Sequence, residues 1–157
     1  MGILHSYRAA ITWTGAGTTG TTSYTAYSRD HEIVFEGKPP LLGSADPAFR
    51  GDPSRYNPEE LLVAALSQCH MLWFLHLAAN AGVVVLAYHD DPSGTMRVAA
   101  AGAGQFTEVV LRPQVTVQGE VSDADLDALH ARAGEHCFIS RSVNFPVRAE
   151  AGPVTRA

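Results

Sequence analysis

Cys69 and Cys137 are the two residues of this 157-residue chain whose chemistry most needs an explanation. Two cysteines in a cytosolic protein indicate redox chemistry, metal binding or two inert core thiols. A thiol must ionise before it can act as a nucleophile, and burial in an apolar segment opposes ionisation. Cys69 lies about three turns into a predicted helix, where the helix dipole no longer helps. A reactive Cys69 therefore needs a cation from another part of the chain.

Arg29 is the best candidate for that cation, because it lies in a polar segment at the end of a predicted strand. Glu59 and Glu60 open the helix that carries Cys69, where negative charge is favourable. A carboxylate there could also hold a guanidinium in a fixed plane, since arginine–carboxylate pairing is bidentate. The alternative interpretation is a solvated arginine and two acidic residues that only favour the helix start.

The histidines give no nucleophile pair with Cys69. His76 lies on the same helical face but roughly 10 Å along the axis, and His70 points about 100° away. Both are interpreted as core or interface histidines. A metal site would have to combine Cys69, His70, His136 and Cys137, which lack the usual spacing of zinc ligands. We expect no metal and no cofactor.

Residues 57–82 (NPEELLVAALSQCHMLWFLHLAANAG) predict the helix around which the chain is organised. Asn57 is a favourable cap, Pro58 fits the first helical position, and Gly82 is a plausible stop. Residues 61–79 contain no charged side chain, so the helix is expected to be buried on most sides. A membrane span is the alternative, but polar residues inside the run and acidic flanks favour a soluble core helix.

The other predicted elements are short strands and one more helix. Residues 36–56 are predicted to be a structureless loop that contains four prolines. Residues 89–94 (HDDPSG) predict a hairpin, and Pro113 indicates an edge or a bulge. Ser122 and Asp125 resemble a capping box for a helix over residues 122–136, with Leu126 and Leu129 facing inward. Strands are predicted over residues 7–14, 21–27, 32–35, 83–88, 95–101, 106–117 and 142–147.

The amino-acid composition limits which classes of protein this chain can belong to. The chain is 46% hydrophobic and 17% charged, with a net charge of −5. These values are typical of one globular domain over residues 1–157, which we expect to be cytoplasmic. No cluster of basic residues supports binding to nucleic acid.

Three motifs together resemble the OsmC/Ohr family of thiol peroxidases. They are NPEELLVAALSQC at residues 57–69, HCFISRSVNFPV at residues 136–147 and YSRDH at residues 27–31. The second motif is closer to the OsmC branch. The resemblance extends over residues 7–147, and it implies an α+β fold in which antiparallel sheets wrap around a long buried central helix. It also implies an intertwined homodimer.

The resemblance also implies a mechanism. Cys69 would attack an organic hydroperoxide and become a sulfenic acid, Cys137 would then form a disulfide with it, and a dithiol would reduce the pair. Arg29 would stabilise the thiolate, and Glu59 would hold Arg29. The Pro-rich loop at residues 36–56 departs from the family pattern, so Arg50 or Arg55 could replace Arg29.

Two other functions are kept as alternatives. The first is a protein of the same fold that binds an apolar small ligand at the dimer interface without turnover. The second is a metal-binding protein that uses its cysteines and histidines.

Overall fold

The computed structural model describes residues 2–157, and the chain forms two compact units that meet between Leu61 and Leu62 in sequence. Helices and short sheets are both present, so the predicted α+β class is confirmed. The prediction of a single domain stays a prediction.

The first unit is built on a small antiparallel sheet. Its strands, in the order β1-β2-β3, are Ala10–Trp13, His31–Val34 and Leu41–Gly43. The strand predicted at residues 21–27 is wrong, because that segment consists of turns and bends. Gly17 and Gly20, just before it, adopt positive φ angles of 55° and 58°. Such left-handed backbone breaks an extended chain despite the high β-propensity of the following Thr and Tyr residues.

The Pro-rich segment over residues 36–56 is ordered, contrary to the predicted structureless loop. It contains β3 and a 3₁₀ turn at Pro47–Phe49. Ser44 is 1% exposed and anchors the segment. Its Oγ donates to Asp30 Oδ1 at 3.1 Å and accepts from the Asp52 backbone N–H at 3.1 Å. These bonds satisfy buried polar groups that a loose loop would leave unpaired.

Helix α1 spans Pro58–Asn80, as the sequence predicts. The Asn57 side chain accepts from the Glu60 backbone N–H at 2.8 Å, and Glu60 Oε2 accepts from the Asn57 N–H at 3.3 Å. This reciprocal capping box satisfies two backbone donors that a helix start otherwise leaves free. After the helix, Gly82 adopts a φ of +75°, which favours termination there.

Helix α1 is long and apolar enough to cross a membrane by length and composition, with a mean hydropathy of 1.6 over its most apolar window. One third of that window is buried. Leu72 is 60% exposed, so one chain alone leaves part of α1 uncovered, and the expectation that the helix is buried on most sides stays a prediction. The predicted homodimer, in which a second subunit would cover such a face, stays a prediction.

The second unit contains two three-stranded sheets. One sheet has the strand order β4-β7-β9, and its strands are Val85–Asp90, Pro113–Val117 and Thr155–Arg156. The other sheet has the strand order β5-β6-β8, and its strands are Ser93–Val98, Gly104–Leu111 and Val147–Ala149. The pairs β4–β7 and β5–β6 are antiparallel, as predicted. The pairs β6–β8 and β7–β9 are parallel, which differs from the prediction of antiparallel pairing.

Pro113 marks the point where the chain changes sheets. The single strand predicted over residues 106–117 is wrong, because β6 ends at Leu111 and β7 starts at Pro113 in the other sheet. The prediction that Pro113 lies on an edge or a bulge is also wrong, since β7 is the central strand of its sheet and Pro113 is its first residue. The hairpin predicted at residues 89–94 is wrong as well, because β4 and β5 belong to different sheets.

Helix α2 spans Asp123–His136 and begins at the predicted cap. Ser122 Oγ accepts from the Asp125 backbone N–H at 3.1 Å, and Leu126 and Leu129 are buried. Both predictions are confirmed. The last predicted strand, at residues 142–147, is wrong in its bounds, because β8 begins only at Val147.

Two apolar clusters join these elements within the second unit. Phe74 and Leu77 of α1 pack with Val115 and Val117 of β7 and with the buried face of α2. Nearer the start of α1, Leu66 packs with residues of β6. Helix α1 is therefore the element that fixes both sheets of this unit.

Candidate functional site

The structure brings Cys69 and Cys137 together. Cys69 is half-buried in the middle of α1, and Cys137 is 1% exposed at the end of α2. The Cys137 backbone N–H donates to the Ala133 carbonyl at 2.9 Å, so the helix fixes this residue. The Cys69 side chain lies near enough to the Cys137 thiol to raise its pKa, and both cysteines are free. The two cysteines are therefore neighbours, and their pairing as a disulfide stays a prediction.

The environment of Cys137 strongly favours its protonated form. Burial, followed by the hydrogen bond with Cys69, raises the pKa of Cys137 to about 11. The backbone N–H of Ser140 donates to Cys137 Sγ at 3.4 Å and opposes this rise. A thiol of this kind is mostly protonated at neutral pH, so it suits the second, resolving position better than the first attack on a peroxide.

Trp73 explains why the two cysteine segments meet. It lies one helical turn after Cys69 on the same side of α1. Its ring packs against His136 at a centroid distance of 5.0 Å and against Phe138 at 5.4 Å. These two residues flank Cys137, so the face of α1 that carries Cys69 packs against the end of α2.

His70 and His130 form a buried pair that sequence reasoning found only in part. His70 Nε2 lies 3.1 Å from His130 Nδ1, and the residues are 2% and 6% exposed. Phe74 stacks on the His130 ring at a centroid distance of 4.1 Å. His70 was interpreted as a core or interface histidine. His130 was missed, although it lies beside Leu129 on the buried face of α2.

Both histidines favour the neutral form. Burial lowers the pKa of His70, against a smaller opposing effect of Asp90. Burial, with a smaller contribution from the charge of His70, lowers the pKa of His130 to about 4. At neutral pH the pair therefore carries no net charge.

A cavity of about 480 Å³ opens beside these groups in the second unit. His70, His130 and Cys137 line it, together with polar side chains from α2, β8 and the turn between them: Asp127, Ser140 and Arg148. The cavity gives the buried thiol and the histidine pair a common polar space.

Arg29 lies in the first unit and is held by two tyrosines. One guanidinium nitrogen donates to the Tyr27 carbonyl at 2.7 Å and the other to the Tyr24 carbonyl at 2.9 Å. The guanidinium carbon lies 4.4 Å and 4.2 Å from the centroids of the Tyr24 and Tyr27 rings. These contacts hold the planar cation in one orientation.

Glu59 lines a second cavity, of about 350 Å³, together with Arg29, Trp13 and Phe49 of the same unit. Among residues 2–157 no ion pair joins Glu59 to Arg29. In the described chain the Arg29 guanidinium donates to the two tyrosine carbonyls and not to Glu59, and the role predicted for Glu59 stays a prediction. Glu60, rather than Glu59, is the carboxylate used in the helix cap.

The alternative arginines have different surroundings. Arg55 lies between two carboxylates, 3.7 Å from Asp30 and 3.6 Å from Asp52. Arg50 is exposed and adopts a φ of +67° at the end of the 3₁₀ turn. The roles predicted for Arg29, Arg50 and Arg55 stay predictions.

The proposed metal ligands are not brought together as a set. His70 bonds His130, and His136 Nδ1 bonds the Arg132 carbonyl oxygen at 2.8 Å. Throughout the described part of the chain, no group of three or more His, Cys, Asp or Glu side chains is arranged to hold a metal ion.

Comparison with known proteins places these features in a family context. The family model described as "OsmC-like protein" matches residues 51–151. No curated protein sequence matches the chain at a significant level.

Several solved structures share the fold. An OsmC-like protein of unknown function from Vibrio cholerae is 35% identical, with a TM-score of 0.84, over 95% of this chain and 100% of that one. An organic hydroperoxide resistance protein OsmC from Legionella pneumophila is 16% identical, with a TM-score of 0.71, over 98% and 99% of the two chains. An organic hydroperoxide resistance protein from Elizabethkingia anophelis is also 16% identical, with a TM-score of 0.71, over the whole of both chains.

Proposed function

Because the chain belongs to the OsmC-like protein family, we propose that it is a thiol peroxidase that reduces organic hydroperoxides to alcohols. The observation that carries the proposal is the proximity of the Cys69 and Cys137 thiols. The names of the Legionella and Elizabethkingia proteins, both organic hydroperoxide resistance proteins, support this substrate class.

The proposed reaction has three steps. The Cys69 thiolate attacks one peroxide oxygen, the O–O bond breaks, and the products are an alcohol and a Cys69 sulfenic acid. The Cys137 sulfur then displaces the sulfenic oxygen as water and forms a disulfide with Cys69. An external dithiol reduces that disulfide and restores both thiols.

The two halves of this mechanism need different thiols. Cys69, which is half-buried, is assigned to react with the hydroperoxide. Cys137, with its raised pKa and near-complete burial, is assigned to the second step. In this division, burial and a raised pKa are expected to protect Cys137 from the oxidant until Cys69 is oxidised.

Titration of free thiols tests the proposal directly. After one equivalent of cumene hydroperoxide per chain, we expect the protein to lose both thiols and to form an intramolecular disulfide. A dithiol should restore both, and the same amount of cumyl alcohol should cause no loss. If the thiols react no faster than those of the unfolded chain, the alternative of a ligand-binding protein without turnover is favoured instead.

Arg29 is proposed to favour the ionised form of the attacking thiol. The support is its fixed guanidinium, held by two carbonyls and two rings. We expect Arg29→Ala to slow the first step at pH 7 by about ten-fold or more, with partial recovery at higher pH. Arg29→Lys should rescue poorly, because an ammonium cannot donate to both carbonyls in one plane.

The measurement for Arg29 is the pH profile of Cys69 alkylation in the Cys137→Ser background. Arg50→Ala and Arg55→Ala serve as matched controls, and both should keep the profile of the parent protein. A parent-like profile for Arg29→Ala, with a loss in either control, would transfer the role to the Pro-rich segment.

A further inference from the structure

The second unit buries a histidine pair that the proposed reaction has not yet used. The contact between His70 Nε2 and His130 Nδ1 requires one ring to donate and the other to accept. The two rings are nearly parallel, with an interplanar angle of 5°. The pair therefore contains one proton in its internal hydrogen bond and one more on an outer ring nitrogen when both rings are neutral.

The outer nitrogens of the pair are the ones that water in the cavity can reach. Over residues 2–157, His70 Nδ1 and His130 Nε2 make no hydrogen bond to the protein, since the pair's bond uses the other two ring nitrogens. In the same residues, the Tyr88 hydroxyl is the one buried side-chain polar atom that lacks a partner. The outer nitrogens are thus not sealed, and both histidines line the 480 Å³ cavity. That volume accommodates several water molecules at about 30 Å³ each.

Cys137 lines the same cavity and has a proton to lose. With a pKa of about 11, only about one Cys137 thiol in ten thousand is ionised at pH 7. Closing the disulfide requires the thiol to give up that proton. The oxygen that leaves the Cys69 sulfenic acid requires a proton to become water.

Resting on the proposed peroxidase reaction, we propose that the His70–His130 pair relays the proton of Cys137 through cavity water to the leaving oxygen. The Cys137 S–H bond and the Cys69 S–O bond break, and an S–S bond forms. The Cys137 sulfur is oxidised from −2 to −1, and the Cys69 sulfur is reduced from 0 to −1. One outer nitrogen takes up a proton while the other releases one, so the pair is neutral before and after the step.

The surroundings of the histidine pair favour a relay that passes a proton on without holding its charge. Burial keeps both imidazoles neutral at pH 7, so a proton that enters the pair is passed on rather than held. Phe74 covers one face of His130 and restricts water to the cavity side. The titratable and charged groups that face the pair are Asp90 of β4, Asp127 of α2, Arg148 of β8 and the Cys137 thiol.

Two amide substitutions test the relay while keeping its geometry. His70→Gln places an amide near the Nε2 position, and His130→Asn places one near the Nδ1 position, so the internal hydrogen bond can persist. An amide cannot exchange protons as imidazole does. His76→Gln is the matched control on the same helix, because His76 is exposed and lies outside the cavity; its side chain bonds Asn80 at 3.1 Å and packs edge-on against Trp73 at 5.5 Å.

The measurement separates the loss of the first thiol from disulfide closure after one equivalent of cumene hydroperoxide. In both variants we expect closure to slow by about 100-fold, since positioned acid–base groups contribute about that much or more. The first step should keep its native rate. The closure rate of the variants should rise about ten-fold per pH unit above pH 7, because ionised Cys137 then limits it. The native protein and His76→Gln should show a shallower rise.

A third variant separates a relay from a structural role. His130→Ala leaves a hole beside the cavity, and added imidazole should restore much of its closure rate. Native closure rates and a native pH profile in the amide variants would overturn the relay and leave the peroxidase proposal standing. Equal slowing of both steps without imidazole rescue would overturn the relay as well. If the native protein loses no thiol to the hydroperoxide, both proposals fail.

Discussion

Replacing Cys69 with serine is expected to abolish the reduction of organic hydroperoxides. A serine hydroxyl does not ionise near neutral pH and forms no sulfenic acid. The rate of alcohol formation should therefore fall by roughly three orders of magnitude or more. Because Cys69 is half-buried and its replacement is nearly the same size, the free energy of unfolding should change little.

Cys137→Ser is the matched variant for this experiment. It should still lose one thiol to one equivalent of hydroperoxide, but it should accumulate a sulfenic acid that a dimedone-type reagent traps. Turnover with a dithiol should then depend on direct attack of the reductant on Cys69. If Cys69→Ser keeps turnover and Cys137→Ser loses it, the two thiols have been assigned in the wrong order.

The second large effect concerns stability and centres on Phe74. Its side chain is fully buried between β7, α2 and the ring of His130. Phe74→Ala should lower the free energy of unfolding by about 3–5 kcal/mol, the usual loss for a buried phenylalanine. Urea unfolding followed by far-UV circular dichroism measures this change.

Tyr88→Phe provides the comparison within the same cluster. The Tyr88 ring packs against Phe74 at a centroid distance of 5.7 Å, and its buried hydroxyl has no hydrogen-bond partner among residues 2–157. Removal of that hydroxyl keeps the ring contacts and should leave stability unchanged or raise it. A loss as large as that of Phe74→Ala would show that the hydroxyl does have a partner.

Lowering the pH provides a second test of the structural role of Phe74. The ordinary pKa of His130 is 6.5, and in the folded protein it is about 4. Between these values the unfolded chain binds the extra proton, so this group destabilises the fold as the pH drops from about 6.5 to about 4. Phe74→Ala admits water to His130, so the pH dependence of unfolding should become shallower than in the parent protein.

The parts of the fold that depend on local signals could be predicted from the sequence. Asn57, Pro58 and Glu60 specify the start of α1 within four residues, and the cap forms as those residue types predict. The cap of α2 at Ser122 is equally local. Short-range hydrogen bonds of this kind need no knowledge of the remaining chain.

The sheets of the second unit could not be predicted, because their partners are distant in sequence. Residues 89–94 have the composition of a tight turn, yet Asp90 is used differently. Its carboxylate accepts from the Ser67 hydroxyl at 2.5 Å and from the Arg112 backbone N–H at 2.6 Å. These contacts hold the end of β4 against α1 and the start of β7. The chain therefore does not fold back onto β4, and β5 joins the other sheet.

In the candidate site, too, some features could be predicted from the sequence and others could not. The cysteines could be identified from residue type and motif, and they lie together as that identification requires. The histidine pair could not, because its members are 60 residues apart and each lies in an ordinary helical stretch. The contacts of Arg29 also differ from those expected, because its guanidinium binds backbone carbonyls. Every residue has a carbonyl, so residue types do not reveal such a contact.

The parallel pairing of β8 with β6 has a consequence for how the protein is made. Val109 pairs with Val147, so 38 residues separate them along the chain. At a synthesis rate of about 5–20 residues per second, β6 waits roughly 2–8 s on the ribosome for its second neighbour. During that time its apolar edge is free to pair with other nascent strands. Slowed translation of residues 110–147 should therefore increase aggregation of the newly made chain without any change in its sequence.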